Sequence, residues 1–409
     1  MRLLIKIMLR LLIENIYPSK FRFVELTMEV SLKDIGTIIT GNTPSKKDKK
    51  YWDSKDICFV KPDIIGDDID SITNSNEYIS NFASSKARIV KRNTILITCI
   101  GNIGRIGIVS KEKIAFNQQI NAIIPNSKIN LRYLAYVLLF SRPRLKALAN
   151  AAVVPIVNKT QLESFKIEID PELEHQDKIA NTLDEIEKIK KIQNKEIEYL
   201  DTLIKARFVE MFGDLKFDTP VSKYIESLTA GKSLAGKEKC TNKVLNTGAV
   251  SYDKFKNDYK YLPSNYVPDE NNKVRTGNVL ISRMNTQELV GATAYVWEAP
   301  ENTYLPDRLW RANLKENVNS IFLWQVLIHP LLKLQIQRVS SGTSGSMKNI
   351  SKSNFLKLKV PDVNEESQNK FASFVQQVDK SKVVNASIMK YIISIRFYLY
   401  FKENKEGAR

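Results

Sequence analysis

The sequence predicts an α+β protein made of two similar mixed α/β domains, each followed by a long helix. Three observations predict this class: a set of motifs occurs twice, short β-type segments fill each copy, and a run with a heptad pattern follows each copy. The 409 residues are enough for two to three domains at roughly 150 residues each. Hydrophobic residues make up 43% of the chain and charged residues 26%, which excludes a wholly disordered or fibrous protein.

The duplication depends on four pairs of matching segments. Residues 30–31 (VS) match residues 221–222, and Asn130, which begins NLRYLAYVLL, matches Asn319, which begins NSIFLWQVLI. A strand-like segment that leads into a proline and a glutamine in an acidic stretch also recur. The two members of each pair lie 189 to 192 positions apart. A period this long indicates a duplicated domain rather than a solenoid of short repeats.

Each copy has the same predicted order of elements. An alternating β-type segment and a polar loop come first, followed by a strand at residues 94–98 in one copy and 278–282 in the other. An apolar helix follows at residues 131–140 and 321–328, and a last strand leads into a proline. The predicted divisions are an extension outside the fold at residues 1–27, a first domain at 28–171, a central helix at 172–216, a second domain at 217–361 and a C-terminal helix at 362–409.

Both long helices carry apolar residues at alternating spacings of four and three, with polar residues in the middle of each pattern. Residues 172–212 contain no glycine or proline and as a helix would be roughly 60 Å long. A seam with a period of 3.5 residues predicts that the two helices pair as a coiled coil. The alternative is two separate amphipathic helices, each lying on its own domain. The predicted seam consists of Ile179, Leu183, Ile186, Ile197, Leu200, Ile204, Phe371, Phe374, Val378, Ile388, Ile392 and Ile395.

The first residues are apolar but are interrupted by a basic residue every fourth position. Arg2, Lys6 and Arg10 make residues 1–13 too charged and too short for a transmembrane helix, and the stretch lacks the uninterrupted apolar core of a signal peptide. A helix lying on a membrane surface is the alternative to an extension outside the fold. We expect no membrane partner.

Sequence motifs for catalysis are missing. The chain has two histidines, His175 and His329, and three widely spaced cysteines, so neither a zinc site nor a disulfide framework is expected, and a reduced, cytoplasmic setting is the default. No GxG, HExxH or GxSxG occurs, and the phosphate-loop-like residues 228–238 lack the hydroxyl that follows the lysine. We therefore expect no catalysis and no metal or cofactor bound by this chain.

The charge balance favours a polyanionic partner. Lysine and arginine number 62 against 45 aspartates and glutamates, a net charge of +17, which is typical of proteins that bind nucleic acid. Lysines can neutralise phosphates, and arginine and asparagine can read guanine and adenine. An ordinary solvated charge run is the alternative for each loop. The candidate DNA-binding residues are Asn42, Thr43, Ser45, Lys46, Lys47, Lys49, Lys50, Arg92, Asn102 and Arg105 in the first copy, and Lys232, Lys237, Lys239, Arg283, Asn285, Arg308, Arg311, Lys348 and Asn349 in the second.

The order of the motifs GNTPS…YW, VKRNTILIT, GNIGRIGIV, FNQQINAIIP and FVEMFGD resembles the specificity subunit of type I restriction–modification systems, over about residues 28–400. The resemblance implies two target-recognition domains separated by two long antiparallel helices, with a pseudo-two-fold relation. Each domain would read one half of a bipartite site in double-stranded DNA, and the helices would fix the gap between the halves.

The resemblance also implies partners. Two methyltransferase subunits that use S-adenosylmethionine, and motor–nuclease subunits that use ATP and Mg²⁺, would assemble on the chain, which itself performs no chemistry. The alternative is a stand-alone or fragment restriction endonuclease or methyltransferase with an unrecognised active site.

Overall fold

The computed structural model describes residues 27–149, 154–342 and 347–382. Their contacts divide them into two compact units, the first up to Ile192 and the second from Gln193. Each unit mixes strands with helices, so the predicted α/β composition is confirmed. Most of the predicted extension, residues 1–26, lies outside the described residues.

The first unit contains eleven named strands and the start of a long helix. Its strands are β1 (Met28–Ser31), β2 (Gly36–Thr40), β3 (Ile57–Val60), β4 (Ile69–Ile72), β5 (Glu77–Ile79), β6 (Ile89–Val90), β7 (Ile95–Thr98), β8 (Ile106–Val109), β9 (Ile114–Phe116), β10 (Ile120–Pro125) and β11 (Lys166–Ile169). Its helices are α1 (Leu32–Ile35), α2 (Leu131–Phe140), α3 (Arg142–Ala147), α4 (Lys159–Glu163) and the first half of α5 (Leu173–Phe212). The strand predicted at residues 94–98 and the helix predicted at 131–140 are both confirmed.

The second unit begins within α5. Its strands are β12 (Phe217–Pro220), β13 (Ile225–Thr229), β14 (Lys243–Leu245), β15 (Val250–Ser251), β16 (Lys254–Phe255), β17 (Tyr259–Tyr261), β18 (Val279–Ser282), β19 (Met284–Asn285), β20 (Thr293–Tyr295), β21 (Thr303–Tyr304), β22 (Leu309–Leu314), β23 (Lys348–Asn349) and β24 (Lys359–Pro361). Its helices are α6 (Ser320–Leu327), α7 (Pro330–Val339), α8 (Lys352–Leu356) and α9, which covers 365–382 within the described residues.

The two units share the order of four strands in their main sheets, and the first unit adds β4 as a fifth strand. The main sheet has the order β2-β10-β7-β8-β4 in the first unit and β13-β22-β18-β20 in the second. A smaller sheet places one antiparallel and one parallel neighbour on its central strand, β5 and β9 around β3 and then β17 and β21 around β14. A two-stranded pair, β1 with β11 and β12 with β24, closes each unit. The duplication predicted from the motif pairs is therefore present in the topology.

Each long helix is fixed to its own unit by a buried glutamine. Gln176 Oε1 accepts the backbone N–H of Asn130 (2.7 Å), and its Nε2 donates to the Asp170 carbonyl (2.7 Å). Gln368 makes the same pair of bonds in the second unit, to Asn319 (3.1 Å) and to the Val363 carbonyl (2.9 Å). Both glutamines are almost completely buried, so each ties the start of a long helix to the cap of the apolar helix in its unit.

Helices α5 and α9 run antiparallel in the second unit. The Phe371 ring lies 5.6 Å from Phe208 and 5.5 Å from Phe212 between ring centres, and Lys382 forms an ion pair with Asp201. Residue numbers thus rise along one helix while they fall along the other. The predicted seam residues that belong to this hydrophobic cluster or pack against it are Leu200, Ile204, Phe371, Phe374 and Val378.

The remaining seam residues have other surroundings. Ile179 packs against the core of the first unit, which the heptad pattern alone did not distinguish from a partner helix. Ile186 is buried, while Leu183 and Ile197 are half-buried. The last three seam residues, Ile388, Ile392 and Ile395, lie outside the described residues. In the parts of the chain that the structure covers, no helix is both long enough and apolar enough to cross a membrane.

Candidate nucleic-acid interface

In the second unit, several segments meet at one end of the main sheet. Just after β18, Arg283 donates its backbone N–H to the Arg308 carbonyl (3.1 Å) and accepts a bond from the Ile350 N–H (3.0 Å). Strand β13 also ends here, because Thr229 pairs with Arg311 near the start of β22. We call this the loop end of the sheet, since the loops after β13 and β18 and before β22 all lie at it.

Several of the predicted DNA-binding residues lie together at the loop end. Arg283 and Arg308 are joined by their backbone bond, and Arg308 Nη1 lies 4.0 Å from Met347 Sδ. The pairing of β19 with β23 brings Lys348 beside Asn285. Cationic side chains from three separate segments therefore share one surface, which suits contacts to phosphates and base edges.

Buried polar atoms without partners accompany this surface. The Arg283 guanidinium lies 5.8 Å from the Trp310 ring. Among the described residues, Arg283 Nε, Trp310 Nε1 and Asn349 Oδ1 are buried and have no hydrogen-bond partner. Because nearly all buried polar groups in proteins are satisfied, these atoms are the ones that a polar ligand or a bound water would stabilise.

The loop after β13 packs closely on the segment before β22. The Gly231 N–H donates to the Pro306 carbonyl (3.0 Å), and a Cβ at Gly231 would lie 1.9 Å from the Leu305 carbonyl oxygen, so only glycine fits. The Ser233 hydroxyl donates to the Asp307 carboxylate, and Ser233 Oγ accepts the backbone N–H of Asp307 (3.2 Å). The exposed Lys232 therefore lies on the loop that borders Arg308.

Other predicted residues of the second unit lie elsewhere or are already engaged. Lys237 and Lys239 follow Gly236, whose N–H donates to the Tyr261 carbonyl (2.8 Å), so they lie beside β17. Arg311 donates to Asn313 Oδ1 (3.2 Å), and burial, with a smaller effect from Arg275, lowers its pKa.

Asn285 was predicted to contact DNA, but the structure uses its side chain internally. It is buried, donates to Ser282 Oγ (3.3 Å) and accepts the Thr286 N–H (2.9 Å). Its amide thus shapes the turn after β18, and the predicted contact to DNA stays a prediction.

In the first unit, the same end of the main sheet carries the loop after β2, the turn after β7 and the segment before β10. Cys99 donates its N–H to the Gln119 carbonyl (2.8 Å) and accepts the Val157 N–H (2.9 Å), as Arg283 does in the second unit. Burial raises the pKa of the Cys99 thiol to about 11, so it remains protonated at neutral pH and does not suit nucleophilic chemistry.

Asn42 and Thr43 were also predicted to contact DNA, and in the structure both side chains form hydrogen bonds within the unit. Asn42 Nδ2 donates to the Lys86 carbonyl (2.6 Å), and its Oδ1 accepts the Arg88 N–H (2.7 Å). The Thr43 hydroxyl donates to Gln118 Oε1 (2.7 Å). Both side chains hold the loop against distant segments of the unit.

Two lysines of the same loop, Lys49 and Lys50, lie in a short turn at Lys49–Tyr51, which Asp48 caps by accepting the Lys50 N–H (3.1 Å). Lys46 lies 5.2 Å from the Trp52 ring and 3.4 Å from Glu77. The exposed polar residues of this group are Ser45, Lys46, Lys47, Lys49 and Lys50.

Arg105 and its neighbours form a different group. Arg105 Nε lies 3.3 Å from Asp67, which also pairs with Arg142 (3.2 Å), so much of the positive charge is neutralised locally. Arg92 and Asn102 are exposed. Within the described residues, no group of three or more His, Cys, Asp or Glu side chains is arranged to hold a metal ion.

Two exposed positions that the sequence interpretation missed are Gln118 and Asp307. Each is bonded by a hydroxyl from the loop after the first sheet strand, Thr43 in one unit and Ser233 in the other. They lie 189 positions apart, the separation of Asn130 and Asn319. Applying the repeat separation to the loops as well as to the framework would have found them.

Both histidines make local contacts. His175 Nδ1 lies 3.5 Å from Asp170. His329 Nδ1 accepts the Leu331 N–H (3.3 Å) at the start of α7, and burial lowers the pKa of its imidazole. These contacts agree with structural roles.

Comparisons with known proteins point to one family. The model of the type I restriction modification DNA specificity domain matches residues 25–200. The MjaVIII specificity subunit of a type I restriction enzyme from Methanocaldococcus jannaschii is 24% identical over 326 residues, which cover 72% of this chain and 74% of that protein. The MjaIX specificity subunit of the same organism is 29% identical over 190 residues, 45% of this chain and 43% of that protein, so this match spans less than half of the relative.

Solved structures show the same fold. The crystal structure of a type I restriction–modification S subunit from M. genitalium matches with a TM-score of 0.56 at 14% identity, over 93% of this chain and 97% of that one. A chain from a structure of type I restriction–modification complex assembly and conformational transition matches with a TM-score of 0.50 at 15% identity, over 93% and 99%. At such identities the likeness concerns the fold alone.

Proposed function

We propose that this chain is the DNA sequence-recognition subunit of a type I restriction–modification system, because its residues 25–200 match the model of the DNA specificity domain of such systems and its relatives are specificity subunits. The observation that carries the proposal is the repetition of one loop end in two units, with the same backbone and hydroxyl bonds and different exposed side chains. Two such ends on one chain suit a DNA site with two different halves.

The proposed recognition domains are residues 28–171 and 217–361. Residues 172–216 and 362–409 are the proposed spacer helices, and residues 1–27 lie outside the recognition fold. The candidate contacts to DNA at the two loop ends are the exposed lysines Lys46, Lys47, Lys49 and Lys50 in the first unit, and in the second unit the exposed Lys232 and Arg308 with the half-buried Arg283 and Lys348. Arg92 is also exposed, but it precedes β7 and lies at the opposite end of the main sheet, where Asn93 donates its N–H to the Val109 carbonyl (3.0 Å).

The chain performs no chemistry in this proposal. Methyltransferase subunits supply S-adenosylmethionine chemistry, and motor–nuclease subunits supply ATP- and Mg²⁺-dependent cleavage, in the cytoplasm. Side chains of α5 that face away from the α9 seam offer a surface for such partners: Tyr199 and Leu203, one helical turn apart, are 70% and 47% exposed.

Exchanging residues 28–171 for the matching domain of a relative with a different target tests the function. Each half-site is read by its own domain, so the methylated motif should change in one half and keep the other half and the gap. The measurement is methylome mapping of cells that express the chimera with its methyltransferase subunits. A motif that changes in both halves, or purified chain that methylates or cleaves DNA without added subunits, would contradict the proposal.

The proposed pairing of the spacer helices predicts which residues of α5 and of the C-terminal segment are neighbours. If the register seen between Phe371 and Lys382 continued along α5, Ile395 would lie beside Ile186. The double variant Ile186→Cys with Ile395→Cys, in a Cys240→Ser background, should form an intramolecular disulfide that shifts its mobility on a non-reducing gel. The control pairs Ile395→Cys with Lys188→Cys, because Lys188 is exposed on another face of α5. Equal crosslinking of both pairs would reject the register.

A further inference from the structure

The loop ends of the two units place two consecutive residues in equivalent positions. Gln118 and Asp307 each bond a hydroxyl from the loop after the first sheet strand, and Thr43 supplies it in the first unit at 2.7 Å. The carbonyl of the next residue accepts the first backbone N–H after a strand of the main sheet. Gln119 accepts it from Cys99 after β7 (2.8 Å), and Arg308 accepts it from Arg283 after β18 (3.1 Å). We call these pairs the reading dyads, Gln118–Gln119 and Asp307–Arg308.

The framework that holds the dyads is the same in both units, but their chemistry differs. In the first unit the dyad is made of neutral amides, and Asn117 holds it by donating to Gln119 Oε1 (2.9 Å) and accepting the Gln119 N–H (3.1 Å). In the second unit an exposed carboxylate precedes an exposed guanidinium, which belongs to a residue bonded through its backbone to Arg283 and in contact with Met347.

These side-chain types recognise different bases. A glutamine amide pairs with adenine by accepting from N6 and donating to N7, whereas arginine donates to O6 and N7 of guanine and aspartate accepts from cytosine N4. The Thr43 hydroxyl occupies one lone pair of Gln118 Oε1, and the carbonyl oxygen has a second one for a base. The hydroxyl bond therefore orients the amide without preventing readout.

We infer that the reading dyads are specificity-determining: Gln118–Gln119 reads an A·T pair in one half-site, and Asp307–Arg308 reads a G·C pair in the other. The inference rests on the proposed function, since it names the bases that each recognition domain reads. It assigns the difference between the two halves to two residues in each unit, held by a common scaffold.

The test is selection of full-length chain on a duplex library with both half-sites randomised. Wild type should enrich guanine at one position of one half and adenine in the other. Arg308→Gln should reduce the guanine preference roughly 5- to 150-fold and leave the other half unchanged. The matched control is Arg338→Gln, which removes the same charge from an exposed position on α7 and should preserve both preferences.

A second variant tests the first unit independently. Gln118→Ala should weaken the adenine preference in the half-site that the first unit reads and should leave the guanine preference in the other half-site unchanged. If wild type selects no sequence at all, the proposed function fails. If wild type selects a bipartite motif but Arg308→Gln weakens binding to all sequences equally, Arg308 is a phosphate contact. The inference is then overturned, while the proposed function stands. Unchanged preferences in both variants would overturn it as well.

Discussion

Raising the salt concentration from about 50 to about 200 mM is expected to weaken binding of the chain to duplex DNA by roughly 10³- to 10⁵-fold. A protein that makes about six to ten phosphate contacts releases as many bound counterions, and this release becomes less favourable as salt rises. The chain carries 17 more basic than acidic residues, and exposed lysines and arginines lie at both loop ends. Fluorescence anisotropy of a labelled duplex, titrated at several salt concentrations, gives the slope of log Kd against log salt.

A triple substitution locates the contribution of the first loop. Replacing Lys47, Lys49 and Lys50 by glutamine should reduce the magnitude of the slope of log Kd against log salt by about 3, because each lost phosphate contact removes about 0.9 from it. Three exposed lysines at the opposite end of the same main sheet, beyond the ends of β8 and β10, provide a control of equal charge: Lys111, Lys113 and Lys128. Equal slopes for the two triples would mean that the loop lysines contact no phosphate and that only net charge matters.

The framework of this fold is visible in the sequence because it depends on short-range patterns. The strand at Ile95–Thr98 and the helix at Leu131–Phe140 follow from apolar runs with local caps, such as Asn130 accepting the Tyr133 N–H (2.8 Å). The duplication is visible because the same patterns occur twice. Local chemistry decides these features, so a sequence is enough to predict them.

The side-chain partners in the loops were not visible, because they come from residues far away in the chain. The Asn42 side chain is engaged by Lys86 and Arg88, and Thr43 by Gln118, 75 positions further on. A polar residue in a basic loop has the same appearance in a sequence whether it faces a ligand or its own backbone.

The heptad pattern had a similar limit. Ile179 has the spacing of a coiled-coil residue, but it packs on the core of the first unit, because periodicity gives the apolar face of a helix and not what covers it. The buried Gln176 was visible only as half of a repeated pair. Its structural role required the position of the Asn130 N–H, which is 46 residues away.

Substituting Phe371 by alanine is expected to lower the free energy of unfolding of the chain by about 3–5 kcal/mol, as for other fully buried phenylalanines. The side chain is completely buried, and its ring contacts Phe208 and Phe212 of α5 and Phe322 of α6. Removing it leaves a cavity at the point where α9, α5 and α6 meet, and the surrounding aromatic rings can fill that cavity only in part.

Urea unfolding followed by tryptophan fluorescence suits this measurement, because three of the four tryptophans, Trp297, Trp310 and Trp324, lie in the second unit. Val209→Ala is the matched control: it truncates an apolar side chain on α5 that is 61% exposed, so the free energy of unfolding should change by no more than about 0.5 kcal/mol. A loss for Phe371→Ala no greater than that of the control would mean that α9 does not depend on Phe371 for its attachment to α5. The antiparallel pairing would then rest on the other apolar residues of the cluster, such as Phe374 and Val378 of α9 and Ile204 of α5, and on the Lys382–Asp201 ion pair.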